Sequence, residues 1–514
     1  MPEDPTHKFP RLAIVGAGSM GTMLALGFAE AGFAISLWDV SSDNIDHAEK
    51  VKSDPANKAF ASRITTFKDS REFTASMPST SPKVFIFSIT HGPPADSVLE
   101  ILGGDLRSGD IVLDGGNEYY RNTQRRQRDL AVRGVEWIGM GVSGGYQSAR
   151  HGPSLSPGGS REVVEGVLPV LERFAAKARD GSPCVAWIGK GGAGHYVKMV
   201  HNGIEQGMLS TLSEAWSLLS HTLSLPQPSI ANIFKSWLRT PELQGTYLID
   251  IAITNCTKRH EADVGSNDPR RDSLVLPEVL DKVVQDADGT EGTGVWSVAE
   301  AAERHVAAPT IAAAYFLRIE SAARGQRARV AGKLRTPAPR TVDLSDSERD
   351  AFVETLRRAV YASFVAGFCQ GLELIARASR DEGWDVNLGT CLRIWRAGCI
   401  IQADGIAEIF APALNSGAQI MNMKLVDEVA AALRENVGAL KEVVLRGVEW
   451  DNYVPSLAAS LEYVKAAGST ALPTQFMEAQ LDLFGAHKYD RVGIEGEDPG
   501  KVEKGAKHFE WMPA

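Results

Sequence analysis

Short apolar runs alternate with helical stretches over the first third of the chain. Leu12–Val15 leads into a glycine-rich turn, Thr22–Ala31 has a helical pattern, and Phe33–Trp38 forms a second apolar run. Regular alternation of strands and helices predicts an α/β domain with a parallel, doubly wound sheet. Further strands are expected at four later runs, the last of which would close the domain: Val84–Ile89, Ile111–Leu113, Val135–Ile138 and Val185–Ile188.

The pattern changes after His195, where apolar residues recur at helical spacing and strand signals become rare. Four long helical stretches are expected: Val197–Leu223, Ala299–Arg324, Glu348–Arg380 and Lys424–Val444. A polar, charged loop, Lys258–Ser273, interrupts them. We therefore expect an α/β domain over residues 1–190, a large all-helical domain over 191–468 and a C-terminal tail over 469–514.

Composition narrows the class of protein. A chain of 514 residues exceeds the size of one hydrophobic core, so two or three domains are expected. A net charge of −10 gives no reason to expect nucleic acid or an anionic membrane as partner. The five cysteines lack metal-ligand spacing, and no signal peptide or membrane span is evident. These features predict a cytoplasmic globular protein without a metal site.

Gly16, Gly18 and Gly21 form a GxGxxG motif between the first strand and the first helix. Glycine lets the backbone turn tightly and approach a dinucleotide pyrophosphate, which binds at the helix N-terminus. The motif thus predicts a nicotinamide cofactor held by these glycines with Ser19 and Met20. A glycine-rich turn that binds nothing is the alternative.

Asp39 ends the second strand, about twenty residues after the motif, as expected for a dinucleotide fold. A carboxylate there accepts hydrogen bonds from the ribose of NAD and repels the 2′-phosphate of NADP. Neither Val40 nor Ser41 is a cation that would offset this repulsion. We therefore expect NAD to be preferred, with NADP as the alternative; Asp39 as an ordinary turn residue is a further alternative.

One helix carries a row of polar residues. Lys198, His201, Asn202 and Glu205 are spaced i, i+3, i+4 and i+7 and so share a face. An exposed Lys–Glu pair would be worth only a few tenths of a kcal/mol. The surrounding apolar sequence and flanking glycines instead favour a buried row, and a buried polar row needs partners that a substrate can provide.

Six sequence blocks resemble those of the 6-phosphogluconate dehydrogenases, in the same order along nearly the whole chain. The blocks are DGGNEYY (114–120), GVSGGYQSARHGPSLSPGG (141–159), GAGHYVKMVHNGIEQG (192–207), GTEGTGVW (289–296), GWDVNLGTCLRIWRAGCII (383–401) and FGAHKY (484–489). The resemblance implies a Rossmann domain, an all-helical dimerisation domain and a tail that reaches into the partner subunit of a homodimer.

The resemblance also implies a chemistry, the oxidative decarboxylation of a 3-hydroxy sugar acid without a metal. Lys198 would be the general base at the substrate 3-hydroxyl, and Glu205 would protonate C1 of the enediol that remains after loss of carbon dioxide. The implied substrate-binding residues are Asn117, Ser143, Gly144, Gly145, His201, Asn202, Thr293, Arg318 and His487, and Asn117 would also contact the cofactor.

The chain departs from the family pattern where the family binds phosphate. Gln206 stands for a tyrosine, Glu291 for a lysine and Leu481 for an arginine, and the arginine that binds the NADP phosphate is missing around residues 40–41. A hydrogen bond to a charged group is worth about 1.5–3 kcal/mol, so losing two cations would weaken phosphate binding roughly a hundred- to ten-thousandfold. Our hypothesis is an unchanged reaction on a substrate that lacks the 6-phosphate or carries another group there.

Four alternatives stay open at this stage. Cations of the Lys258–Ser273 loop would restore phosphate binding if the loop folded into the site. The protein would then be an authentic NADP-dependent 6-phosphogluconate dehydrogenase of the pentose phosphate pathway. It would otherwise be a 3-hydroxyacid dehydrogenase that does not decarboxylate, although Glu205 argues for the decarboxylating reaction. A catalytically silent binding protein is disfavoured by the intact polar row.

Overall fold

A computed structural model describes residues 4–260, 270–285, 287–289, 291–417, 419–493 and 504–512. The chain forms two compact units, residues 1–461 and residues 462–514. The first unit contains both the α/β part and most of the helical part that the pattern predicts. The polar loop expected at Lys258–Ser273 falls mostly outside the described residues.

The first unit begins with a seven-stranded sheet. Its strands are β1 (Arg11–Val15), β2 (Ala34–Trp38), β3 (Ile64–Phe67), β4 (Val84–Phe87), β5 (Ile111–Asp114), β6 (Glu136–Ser143) and β7 (Ser154–Gly158). Their order in the sheet is β3-β2-β1-β4-β5-β6-β7, and every pairing is parallel except β6 with β7. This order confirms the predicted Rossmann-like, doubly wound fold.

The last strand lies elsewhere than predicted. Val185–Ile188 is not a strand, because Val185 forms only an isolated bridge to Leu155 of β7. The closing strand is β7, whose sequence SLSPG has weak strand propensity. Burial against β6 overrides that propensity, and Pro157 is tolerated because β7 is the last strand of the sheet.

The sheet is covered on both faces. Helices around it are α1 (Pro5–Lys8), α2 (Ser19–Glu30), α3 (Ser42–Lys52), α4 (Ser70–Ala75), α5 (Pro93–Leu102), α6 (Tyr120–Ala131), α7 (Gly145–His151) and α8 (Arg161–Phe174). Alternate residues of one strand enter different cores: Ile14 of β1 belongs to one cluster and Val15 to the other. The period of two along the strands therefore places apolar side chains on both faces.

Twelve more α-helices follow in the described chain. They are α9 (Ala193–Ser217), α10 (Gln227–Trp237), α11 (Tyr247–Thr257), α12 (Thr293–Glu303), α13 (Pro309–Ala322), α14 (Arg324–Leu334), α15 (Asp346–Glu382), α16 (Leu388–Ile394), α17 (Asp404–Asn415), α18 (Asp427–Glu449), α19 (Pro455–Gly468) and α20 (Thr474–Gly485). The helix predicted over Ala299–Arg324 is divided, because His305 has a φ of +54° and Pro309 begins α13.

The longest helix, α15, lies in the core of the helical region. A Ser345–Glu348 capping box starts it, and Gly383, with a φ of +66°, ends it. By length and composition alone it would be able to cross a membrane, but its apolar window is entirely buried inside the fold. Its apolar character is therefore that of a core helix, packed against α9 and α18.

Candidate active site

The glycine motif forms a tight turn between β1 and α2. Gly16 has a φ of +100°, and a Cβ on it would lie 2.3 Å from the Ser88 carbonyl oxygen. A Cβ on Gly21 would lie 1.9 Å from the Gly16 carbonyl oxygen, whereas a Cβ on Gly18 would meet no atom within 4 Å. No side chain caps the start of α2, so the backbone amides around Ser19 and Met20 are available to an anion. The turn therefore fits a dinucleotide pyrophosphate.

Asp39 is nearly buried, and both of its carboxylate oxygens accept hydrogen bonds from the protein. Oδ2 accepts from Ala17 N at 2.7 Å and from Asn44 Nδ2 at 3.1 Å, and Oδ1 accepts from Ser41 N at 2.7 Å. The carboxylate thus joins the glycine turn to the start of α3. The sequence predicts a cofactor role for Asp39, with an ordinary turn residue as the alternative, and these hydrogen bonds show that it also has a structural role.

Helix α9 carries the polar row and lies directly against β6. A Cβ on Gly141 would lie 2.4 Å from Lys198 Cβ, so glycine at 141 allows this close approach. Ser297 Oγ of α12 donates to the Met199 carbonyl oxygen at 2.9 Å, which fixes α12 on the neighbouring side of α9. Helix α9 is therefore held between the Rossmann sheet and the helical region.

The polar row forms one hydrogen-bonded cluster. Lys198 Nζ donates to Asn202 Oδ1 at 2.9 Å, and His201 Nδ1 lies 3.0 Å from the same oxygen. Asn202 Nδ2 donates to Thr293 Oγ1 at 3.1 Å. His201 Nε2 is buried and has no hydrogen-bond partner among the described residues. A substrate hydroxyl or carboxylate would satisfy this buried polar atom.

Burial sets the protonation states of this cluster. Burial lowers the pKa of Lys198, although the nearby Glu205 opposes that shift. Burial and the adjacent Lys198 lower the pKa of His201 well below its usual value. Desolvation raises the pKa of Glu205, although Lys198 and Arg318 lower it. A lysine biased towards the neutral amine and a glutamate biased towards the acid are suited to act as general base and general acid.

Glu291 lies at the same site. Asn117 Nδ2, in the loop after β5, lies 3.4 Å from Glu291 Oε2. The negative charge of Glu291 raises the pKa values of both Lys198 and Glu205, so it lies close enough to act on both. The position where the family pattern has a cation thus carries an anion beside the catalytic groups.

The loop after β6 also lies at the candidate site. Ser143 is buried at the end of β6, and Gly144 and Gly145 have φ values of +103° and +68°. A Cβ on Gly144 would lie 2.3 Å from the Gly398 carbonyl oxygen, so the 395–399 segment packs tightly there. Only glycine fits this conformation and this contact.

Two site residues were not singled out from the sequence. Trp395 packs its ring 6.0 Å from that of His201, and the Cys399 thiol acts on the pKa of Lys198. Both lie in the block 383–401, whose match to the family was the available signal. Nothing in its local pattern indicates that it joins α9, since the two are about two hundred residues apart.

The first unit therefore brings most of the predicted residues together. Seven of them are connected by hydrogen bonds or electrostatic interactions: Lys198, His201, Asn202, Glu205, Thr293, Asn117 and Arg318. Ser143 ends β6, the strand on which α9 lies, and Gly144 and Gly145 follow it. His487 is exposed on the second unit, and its role stays a prediction. No group of three or more His, Cys, Asp or Glu residues arranged for a metal is found among the described residues.

Comparison with known proteins identifies the family. Residues 11–189 match the NAD binding domain of 6-phosphogluconate dehydrogenase, and residues 194–511 match its C-terminal domain. The chain is 52% identical to the decarboxylating 6-phosphogluconate dehydrogenase of Emericella nidulans over 96% of this chain and 100% of that protein. It is 35% identical to decarboxylating 6-phosphogluconate dehydrogenase 2 of Arabidopsis thaliana, over 98% of this chain and 97% of that protein.

A solved structure agrees with these matches. The Plasmodium falciparum 6-phosphogluconate dehydrogenase, studied alone, with its cofactor NADP+ and with its substrate 6-phosphogluconate, superposes with a TM-score of 0.82. The two chains are 30% identical, over 95% of this chain and 98% of that one. The chain therefore belongs to the 6-phosphogluconate dehydrogenase family and is an NAD(P)-dependent decarboxylating dehydrogenase that acts on a CH–OH group.

Proposed function

We propose that this protein oxidises and decarboxylates 6-phosphogluconate to a ketopentose phosphate and carbon dioxide in the cytoplasm. The observation that carries the proposal is the buried Lys198–Asn202–His201 cluster with Glu205 beside it. The Emericella relative at 52% identity supports the phosphorylated substrate. This is the alternative of the sequence hypothesis, and the comparisons favour it over an unphosphorylated acid.

The residues have distinct roles in the proposed reaction. Neutral Lys198 would take the proton of the substrate 3-hydroxyl, and a nicotinamide held at the glycine turn would supply the acceptor for the hydride of C3. The C1–C2 bond of the 3-keto acid then breaks, and its electron pair passes into the ketone as C1 leaves as carbon dioxide. Protonated Lys198 stabilises the resulting enolate oxygen, and Glu205 delivers a proton to the former C2, which becomes C1 of the ketopentose. Asn202 and His201 orient the hydroxyls.

The role of Lys198 is tested by Lys198→Met, which keeps the length of the side chain and removes the base. Loss of a positioned base lowers kcat by about 10²–10⁴-fold. Lys190→Met is the matched control, because Lys190 is exposed just before α9. Turnover by Lys198→Met within tenfold of the parent enzyme would contradict the mechanism.

A second candidate substrate is an unphosphorylated sugar acid such as gluconate. The specific observation in its favour is Glu291, whose carboxylate lies beside Asn117 and Lys198 and would repel a dianionic phosphate. Gln206 supports it as well, because this residue is buried and its Oε1 has no hydrogen-bond partner among the described residues. An uncharged hydroxyl at the distal end would avoid the repulsion from Glu291.

We further propose NAD as the preferred coenzyme. The Asp39 side chain and the exposed, uncharged Val40 give the ribose end of the site no cation for a 2′-phosphate. NADP+ is the cofactor of the Plasmodium relative and is the alternative. The three hydrogen bonds on Asp39 leave its negative charge in place, although they engage the oxygens that would accept from the ribose.

One assay separates these proposals: kcat/KM with NAD or NADP against 6-phosphogluconate or gluconate, following reduced coenzyme and carbon dioxide. A preference for 6-phosphogluconate supports the first proposal, and a preference for gluconate supports the second. NADP turnover exceeding NAD turnover would contradict the role of Asp39.

We also propose a homodimer in which each tail supplies His487 to the partner's substrate site.

A further inference from the structure

Among the described residues of the second unit, the Asp482 carboxylate of α20 accepts the most hydrogen bonds. It is fully buried, and its two oxygens accept four hydrogen bonds. Oδ1 accepts from Lys488 N and from His508 Nδ1, both at 2.9 Å. Oδ2 accepts from Phe509 N at 3.1 Å and from Trp511 Nε1 at 2.8 Å. One side chain thus binds the loop after α20 and the C-terminal segment at once.

The loop that Asp482 holds is the one that carries His487. Ala486 and Lys488, on either side of it, have φ values of +48° and +68°, a conformation that side-chain-bearing residues rarely adopt. Such residues persist where the surrounding structure holds them, and they cluster at functional sites. Here the Lys488 amide is held by the Asp482 carboxylate, and the Ala486 amide donates to the Asp482 carbonyl oxygen at 2.9 Å.

A second contact closes the loop. Tyr489 and Lys507 form an antiparallel bridge, with N–H to O distances of 2.8 and 3.1 Å. The His487 ring lies over Gly485, where a Cβ would come within 2.3 Å of its Cδ2. The His487 side chain is exposed, whereas the backbone on both sides of it is fixed.

Ionisation of Asp482 strengthens this arrangement. Burial alone would raise the pKa of Asp482, but hydrogen bonds from His508 and Trp511 hold it far below the usual range of a carboxyl. A charged acceptor makes each of its four hydrogen bonds stronger than a neutral one would.

We infer that Asp482, with residues 507–511, is a positioning device for His487 and thereby sets the affinity for the sugar acid. The inference rests on the proposed role of His487 in substrate binding. Asp482 itself is a positioning residue, because it contacts only the protein. The C-terminal segment then has a specific task, which is to hold one substrate-binding side chain in place.

The test compares Trp511→Phe, which deletes one donor and keeps an aromatic ring, with the parent enzyme in steady-state kinetics. Losing one hydrogen bond to a buried carboxylate is expected to raise KM for the preferred sugar acid about fivefold, with kcat within about twofold and KM for the coenzyme unchanged. Asp482→Asn is expected to raise KM further. Met512→Ala is the control, because its exposed side chain neighbours the segment and makes none of the four bonds.

A double-variant cycle separates positioning from general destabilisation. In a His487→Ala background, Trp511→Phe is expected to cause no further rise in KM. An equal rise with and without His487, or no rise for Trp511→Phe in the parent, would overturn the inference and leave the function of His487 standing. An unchanged KM for His487→Ala alone would overturn the proposed role of His487 and the inference with it.

Discussion

At the residue scale, burial and neighbouring charges shift the pKa of Lys198 in opposite directions. Burial lowers its pKa, and the negative charges of Glu205 and Glu291 partly restore it. Glu205 experiences the reverse, because desolvation and Glu291 raise its pKa while Lys198 and Arg318 lower it. The proposed reaction needs neutral Lys198 and protonated Glu205, so under that proposal the pH–rate profile reports both groups.

We predict that Glu291→Gln moves both limbs of the kcat/KM profile to lower pH. Without that negative charge the Lys198 ammonium is less stabilised, so its pKa falls and the acid limb shifts down. Ionisation of Glu205 becomes easier, so the alkaline limb shifts down as well. Glu303→Gln is the control, because Glu303 is exposed at the end of α12, the helix that follows Glu291. Limbs that stay in place, or that move to higher pH, would show that Glu291 does not act on the catalytic pair.

At the scale of elements, the approach of α9 to β6 depends on Gly141. Its missing Cβ would otherwise lie 2.4 Å from Lys198 Cβ and 2.3 Å from Ser156 Oγ. We predict that Gly141→Ala costs about 1–3 kcal/mol in stability through overpacking and lowers kcat about a hundredfold by moving Lys198. Thermal unfolding and steady-state kinetics measure the two effects.

Gly438 of α18 provides the matched comparison, because a Cβ there would meet no atom within 4 Å. Gly438→Ala is expected to stabilise the protein by about 0.5–1 kcal/mol through better helix propensity, with unchanged activity. Equal effects of the two substitutions would refute the role of close packing at Gly141.

Glu214, on the same catalytic helix, caps the start of α19. Its oxygens accept from Ser456 N at 2.8 Å and Leu457 N at 3.0 Å, and burial raises its pKa to about 7. A carboxyl whose folded pKa lies above its unfolded value contributes stability below the unfolded pKa and loses it as pH rises through the folded pKa. Glu214 therefore makes the protein less stable at pH 8 than at pH 5.

We predict that Glu214→Gln removes this dependence. Gln loses one acceptor at low pH but is not charged at high pH, so the variant is expected to gain on the parent by roughly 3 kcal/mol between pH 5 and pH 8. Denaturant unfolding at both pH values measures the difference. A parallel pH dependence for parent and variant would rule out titration of Glu214 as the cause.

At the scale of the whole molecule, a buried ion-pair network joins the Rossmann part of the first unit to its helical part. Fully buried Glu300 of α12 accepts from Tyr119 Oη at 2.9 Å and from Arg304 Nε at 2.7 Å. Arg304 Nη2 also donates to Glu382 at 2.8 Å and to Tyr120 Oη at 3.0 Å. The aromatic residues precede or begin α6, whereas Glu300 belongs to α12, Arg304 directly follows it and Glu382 ends α15.

We predict that Arg304→Met destabilises the first unit by about 3–5 kcal/mol, because the buried Glu300 loses its closer cation and keeps the half-exposed Arg121 at 3.5 Å. Hydrogen exchange is expected to show weaker protection of α6 together with α12. Arg324→Met is the control, since Arg324 pairs with Asp281 at the surface and contributes about 0–1 kcal/mol. Similar losses for both variants would mean that burial of the network has no special weight.

Local signals in the sequence were sufficient for a large part of this description. The GxGxxG motif, the short apolar run before it and the helical pattern after it predicted β1, α2 and the dinucleotide turn, because backbone geometry and apolar patterning are local properties. The i, i+3, i+4, i+7 spacing placed Lys198, His201, Asn202 and Glu205 on one face for the same reason. The resemblance of six sequence blocks to the 6-phosphogluconate dehydrogenases predicted the family and its decarboxylating chemistry.

Only the tertiary structure decided what depends on contacts between distant segments. It placed β7, a segment of weak strand propensity, at the sheet edge because burial there outweighs propensity. It gave the Asp39 carboxylate three donors of the protein's own, and it brought Glu291 to Asn117 across 174 residues of chain. It also joined Asp482 to the C-terminal segment. Distances and desolvation arise from the assembled fold, so no local pattern determines them.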